Sequence, residues 1–392
     1  MKKTTLTLAL IALSALSISA SAQKKTSKND VKPASTERVF TDVKINPVTS
    51  IKNQASSGTC WSFSGIALVE SELLRRGKDT LDLSEMWIVR NTYFDKAVKY
   101  ARMHGSINLA GGGATHDVFN VIDKYGIVPE SVYTGLNYGT DKHLHGELDR
   151  TVKAYMDAVI ANPNRTLSTA WQAGLNGILD AYLGAVPSKF TYNGVEYTPH
   201  SFAEFLGLKG SDYQSYTSFS HHPFDTDFAV EVPDNWAWCA SRNVPLDQFL
   251  LLIDNALASG KTVLWASDVS EKGFQYNKGF AVLPQANIES LADSEKAKWS
   301  ALTDAEKKAA QLDADINVPE IIVSQESRQA GFDNYQTTDD HGMLIVGTAV
   351  DQKGTKYYKV KNSWGDSGKY HGYFYVSVPF VAAKTMNVVI AK

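Results

Sequence analysis

The sequence predicts an α+β protein, with a helical first part and a β-rich last part. Two observations carry this. Trp61 to Arg76, Glu85 to about Arg102 and Asp117 to Tyr125 place apolar residues at helical spacing. Near the other end, Gly342 to Val350, Tyr357 to Lys361 and Tyr373 to Val378 run apolar or alternate, with aromatic and β-branched residues between Gly, Asp and Lys turns.

The elements follow in order. Met1-Lys2-Lys3 is basic, Leu6 to Ile18 is apolar and Ala20-Ser21-Ala22 is a small-residue cleavage pattern. Residues 1–22 therefore read as a signal peptide, and the chain as an exported protein, periplasmic or secreted. No cysteine stands directly after this segment, and no later run is apolar enough to span a membrane. Removing residues 1–22 leaves 370 residues, enough for two lobes or for one domain with a large insertion. The net charge of −3 becomes about −5, which does not suggest a nucleic-acid partner. Residues 23–44 read as a flexible mature N-terminus, and 45–392 as the folded part. Within it, a helical lobe covers about 45–140, an insertion about 141–240 and the remainder with the β-rich lobe about 241–392.

The first helix stops at Gly77, and Ser84 is placed to cap the second. The three glycines Gly111, Gly112 and Gly113 break the chain before the third, which ends at Gly126. The middle holds helix-like pieces at 149–161, 165–183 and 246–259. Around them lie an aromatic, turn-rich stretch at 190–238 and a buried strand from Thr262 to Ala266. Residues 288–312 are charged and Ala-rich, the composition of a solvated helical insertion.

Cys60 stands where a small, polar, turn-forming segment meets the first apolar helix. A helix N-terminus favours a thiolate, the nucleophilic form of cysteine. The Gln54 amide, six positions earlier, can face an oxyanion beside that sulfur. Asp340-His341-Gly342 opens the β-rich end, and Asn362 follows 21 residues after His341. Thiolate, imidazole and side-chain amide are the parts that thiol acyl transfer needs. With two cysteines, a Cys60–Cys239 disulfide is the alternative; the catalytic reading keeps Cys60 free and Cys239 separate and buried.

N-Q-x5-C-W-S-F, then L-S-E, the glycine turn, D-H-G and N-S-W-G, in that order, resemble papain-like cysteine peptidases. The S-S-G-T-C-W segment around Cys60, the stretch Asp123 to Tyr133, and Asn243-Val244-Pro245 with Gly260 to Val269 are similar to the bleomycin hydrolase/aminopeptidase C branch. So is the wide spacing of Cys60 and His341. The resemblance covers about residues 45–140 and 240–378. It implies a papain-like two-lobe fold and no cofactor. Cys60 would be the nucleophile and His341 the general acid/base. Asn362 would orient His341, and Gln54 with the Cys60 N–H would form the oxyanion hole. Gly112 and Gly113 would let a substrate strand approach, and Trp364 would shield the His341–Asn362 bond beside the substrate. Peptide or protein substrates, and an oligomer by analogy, come with it. The branch's C-terminal arm, whose carboxylate receives a substrate amine, is not matched, because 30 residues follow Asn362. The resemblance thus reaches the peptidase chemistry and leaves the cleavage mode open.

Other residues read more plainly. Asp340 is a turn residue, and Trp236 and Trp238 are packing or pocket lining. His221-His222, and His143 with His145, resemble ligand pairs, but no acid or cysteine stands at helical spacing from them, so no metal site is expected. A catalytically silent peptide-binding protein and a Cys-dependent acyl transferase on the same fold are the alternative readings.

Overall fold

A computed structural model describes residues 37–285, 303, 316 and 318–392. The expected signal peptide, the start of the mature chain and most of the charged segment at 288–312 lie outside the described residues. The described elements run β1 (Phe40–Ile45), α1 (Cys60–Arg75), α2 (Glu85–Arg102), α3 (Asp117–Tyr125), α4 (Gly146–Ile160), α5 (Ala170–Leu183), β2 (Phe190–Tyr192), β3 (Val195–Tyr197) and α6 (Pro199–Leu206). They continue with β4 (Tyr213–Thr217), β5 (Asp227–Ala229), β6 (Ala240–Asn243), α7 (Leu246–Ala258), β7 (Val263–Ser267), β8 (Phe274–Gln275) and β9 (Phe280–Ala281). The last are α8 (Gln325–Asp333), β10 (His341–Asp351), β11 (Lys356–Lys361), β12 (Tyr373–Ser377), α9 (Val378–Lys384) and β13 (Thr385–Ala391).

The main sheet has the order β5-β6-β4-β13-β7-β10-β11-β12-β9-β8, and β1 also pairs with β10. Its central runs are apolar at successive residues because both faces are covered. Leu264, Leu344, Val346 and Val389 join the core of the helical lobe. Their sequence neighbours Val263, Trp265, Met343, Ile345 and Val388 join a second core with α7 and α9. Each strand thus serves two cores through its alternation. One edge of β10 is shared: β7 pairs with its first five residues, His341 to Ile345, and β1 with Gly347 to Asp351.

Three regions differ from the sequence reading. Phe40–Ile45, expected to be flexible, is a strand; five of its six residues are exposed, so it lacks the apolar alternation of a strand on a core. The helical lobe runs on past residue 140, because α4 and α5 supply Leu148, Val152, Met156, Leu175 and Leu179 to its core. In the expected insertion, the short strands β4, β5 and β6 extend the main sheet through β13. Among the described residues, no helix is long and apolar enough to cross a membrane.

Candidate active site

Cys60 is the first residue of α1. Thr59 before it makes no side-chain cap bond, and its carbonyl takes the Ser62 N–H at 2.9 Å. The N–H groups of Trp61 and Gly342 act on the Cys60 sulfur and favour its charged form. Gly342 permits this approach: a Cβ there would lie 2.7 Å from Ser64 Oγ and 3.2 Å from Trp61 Cα. The glycine after His341 is thus where the start of β10 docks on the start of α1.

His341 opens β10, and its Nε2 is 2.8 Å from Asn362 Oδ1. Asn362 Oδ1 also accepts the Ser363 N–H at 2.8 Å. Because Oδ1 accepts, Nε2 carries the ring proton and Nδ1 keeps a lone pair; the tautomer is assigned from this bond. Trp364 lies on the imidazole, with ring centroids 4.7 Å apart and planes 27° from parallel. Tyr276 stands edge-on to Trp364. The segment before Cys60 is stitched to the same loop: Gln54 N–H donates to Ser363 O at 2.8 Å, and Ser363 Oγ donates to Gln54 Oε1 at 2.6 Å. With Oε1 so held, the Gln54 amide presents Nε2 as its donor end. The Cys60, His341, Asn362 and Gln54 segments, widely separated in the chain, therefore meet in one place.

Cys60 and His341 line one cavity of about 490 Å³ including its mouth, together with Gly113, Thr115, His116, Asp234 and Asp339. Burial pushes the Cys60 thiol up to about 12, the Asp339 and Asp234 charges adding to it and the two N–H groups opposing. Burial likewise holds His341 down to about 4, against the Asn362 hydrogen bond and the Asp340 charge. Both shifts run toward the neutral forms, so burial opposes the thiolate that a helix start favours, although Cys60 itself is half-buried at the cavity. Both cysteines are free, and Cys239, expected to be buried, is half-buried, with Asn120 Nδ2 3.3 Å from its sulfur.

The glycines divide. Gly113 lines the cavity, and a Cβ on it would stand 2.7 Å from the Trp61 ring. Gly112 is packed on Asp234, where a Cβ would lie 2.3 Å from Oδ2. Trp364 is not among the cavity-lining residues and covers the outer face of the imidazole. Asp340 is a turn residue, as read: its carboxylate accepts from Val269 N–H, Ser270 N–H and Thr338 Oγ1. Trp236 Nε1 donates to Asp117 Oδ2 at 2.8 Å, while Trp238 is exposed beneath Lys99, 3.5 Å from its ring centroid. His221 and His222 do have an acid beside them, contrary to the spacing argument. Glu231, from just beyond β5, takes both Nε2 atoms at 2.9 and 3.0 Å. The sequence reading also passed over Asp339 and Asp234. Asp339 adjoins Asp340-His341, which was the available signal; Asp234 had none.

Comparison with known proteins bears on the same chain. Residues 38–185 match the model of the papain family cysteine protease, and residues 276–392 that of the peptidase C1-like family. The chain is a papain-like cysteine peptidase. Within that class it is of the bleomycin hydrolase and aminopeptidase C type. It is 23% identical to Aminopeptidase C of Streptococcus thermophilus, over 87% of this chain and 80% of that protein. It is 25% identical to Aminopeptidase C of Lactobacillus delbrueckii subsp. lactis, over 84% of this chain and 76% of that one. The crystal structure of PepW from Lactobacillus rhamnosis HN001 superposes with a TM-score of 0.65 at 20% identity, over 90% of this chain and 82% of that one, which shows the shared fold.

Proposed function

We propose that this chain hydrolyses peptide bonds with Cys60 as nucleophile, His341 as proton carrier, Asn362 as its orienting partner and Gln54 in the oxyanion site. The observation that carries the assignment is the His341 Nε2–Asn362 Oδ1 bond, at 2.8 Å, in a ring that lines the cavity of the Cys60 sulfur. The thiol gives its proton to His341 Nδ1, and the sulfur attacks the substrate carbonyl. The carbonyl oxygen, now an anion, takes hydrogen bonds from Gln54 Nε2 and the Cys60 N–H. The C–N bond then breaks as the imidazolium protonates the amine, leaving a thioester on Cys60. Water, giving its proton to His341, cleaves the thioester and restores the thiol.

The relatives named Aminopeptidase C support removal of N-terminal residues as the mode of cleavage. Met1 to Ala22 supports export, which N-terminal sequencing of the cell-made protein checks. Turnover of fluorogenic peptide amides tests the chemistry. Cys60→Ala is expected to lower kcat by at least about 10⁴, and residual activity above about 10⁻³ of wild type would remove Cys60 from the nucleophile's role. Asn362→Ala is expected to cost less, since Asn362 holds the ring and transfers no proton. A Cys60 that does not react with an epoxide inhibitor would point to the silent binding protein.

A further inference from the structure

We propose that Asp339, with Asp234 in the same cavity, forms a subsite for a cationic group of the peptide substrate, an ammonium or a guanidinium. The inference rests on the peptidase reading and adds the substrate class. Both carboxyls line the cavity that holds Cys60 and His341. Three acids meet there and their circumstances differ. Asp340 spends its oxygens on Val269 N–H, Ser270 N–H and Thr338 Oγ1. Asp234 accepts from Asn108 Nδ2 at 2.7 Å and feels the charge of Lys96. Asp339 is half-buried and lines the cavity, and among the described residues no donor and no cation is paired with it.

A carboxylate partly withdrawn from water and without a partner is less stable than a paired one. The charges that reach Asp339 are those of Asp234 and Asp340, and with burial they push it up to about 7. Lys96, whose charge reaches Asp234, donates its Nζ to Ala110 O and Gly112 O. An arriving cation supplies what the fold omits, and Asp339 releases its proton to water as it binds. The same cavity offers Val230, Val232, Ala266 and Met386, which suit the aliphatic stem of a basic residue or the Cα region of an N-terminal one.

Two sources carry this chemistry, and two arms separate them. One compares free-amine with N-acetyl coumarin amides of the same neutral peptide. The other compares N-acetyl peptides carrying lysine against norleucine at the two residues before the cleaved bond. In wild type, at least one arm is expected to favour the cation by about tenfold or more in kcat/KM, as a charged hydrogen bond allows. Asp339→Asn is expected to bring that ratio to within about threefold of unity, and Asp234→Asn to lower it less. The wild-type ratio is also expected to rise from pH 5.5 to 8, as Asp339, facing Asp234, Asp340 and Cys60, ionises. A ratio near one in both arms of the wild type overturns the subsite, and so does a preference that persists in Asp339→Asn. Epoxide titration of Cys60 in each protein keeps this separate from the peptidase reading: labelled enzyme without charge preference defeats only the subsite, whereas unlabelled enzyme with no turnover defeats the catalytic assignment.

Discussion

The acids beneath α1 and the acids in the cavity at its start make an instructive pair. Glu70 and Glu85 are buried side by side. Glu70 accepts from Thr49 Oγ1 and from Leu83 N–H, and Lys361 and Lys52 lie close enough for their charges to act on it. Lys361 Nζ in turn donates to Thr49 O at 3.0 Å. That cluster brings two lysines of its own, although burial still shifts Glu70 upward and Glu85 well upward. Asp339 is half-buried at the cavity, and among the described residues no cation stands beside it. The difference teaches how to read such acids: those packed with the fold's own lysines tie segments together, and an acid that opens on a reactive cavity without a cation is available to a ligand.

The largest expected effect breaks the complete cluster. Lys361→Met leaves Glu70 and Glu85 short of a cation and is expected to cost about 3 kcal/mol or more of stability, read as a lowered midpoint in denaturant at pH 7. A loss below about 1 kcal/mol would mean that the two clusters are alike after all. Asp339→Asn is expected to move stability the other way. The folded state holds the Asp339 proton up to about pH 7, and the unfolded chain releases it near pH 4. Between those values the native state binds more protons, so the contribution of Asp339 falls as pH rises and is least favourable above pH 7. The asparagine variant should therefore gain on wild type from pH 5 to pH 8, on the order of 1–2 kcal/mol after allowing for water in the cavity. Thermal melts at the two pH values check the sign. The smallest effect is at Asn108, whose amide supports Asp234. Asn108→Ala is expected to cost about 1 kcal/mol and to weaken the cation preference without abolishing it.

Much of this was legible in the sequence where local rules and the fold agree. α1, α2 and α3 show helical periodicity with Ser84 as a cap; its hydroxyl accepts from Trp87 N–H, as an N-cap should, and donates to the Tyr133 carbonyl. β7 and the first half of β10 are apolar runs because the sheet is covered twice. Cys60 could be placed at a helix start because polar turn residues precede it. What escaped has physical reasons too. β4, β5 and β6 are three to five residues long and carry Ser, Thr, Asp and Arg, so their pairing is decided by β13 rather than by their own pattern. Glu231 reaches His221 and His222 across a strand, where helical spacing has no meaning. The upward shift of the Cys60 thiol comes from burial, which only the packed protein creates. Asp339 had only its place beside Asp340-His341 as a signal, because its distinguishing property is the lack of a partner.

The position of β13 has a consequence for how the molecule comes into being. Residues 385–391 lie between β7 and β4, with Val389 opposite Leu264 on one side and Ser215 on the other. A nascent chain that has passed Asn362 already carries Cys60, His341, Asn362 and Gln54, yet β4, β5 and β6 still have no strand linking them to β7. Arg328, which donates to the Ala382 and Thr385 carbonyls, waits as well. Such long-range pairing is slow to close. Synthesis alone therefore cannot switch the enzyme on segment by segment: the thiol gains its enclosed cavity, bordered by Met386 and Asn387, in the same late step that completes the sheet.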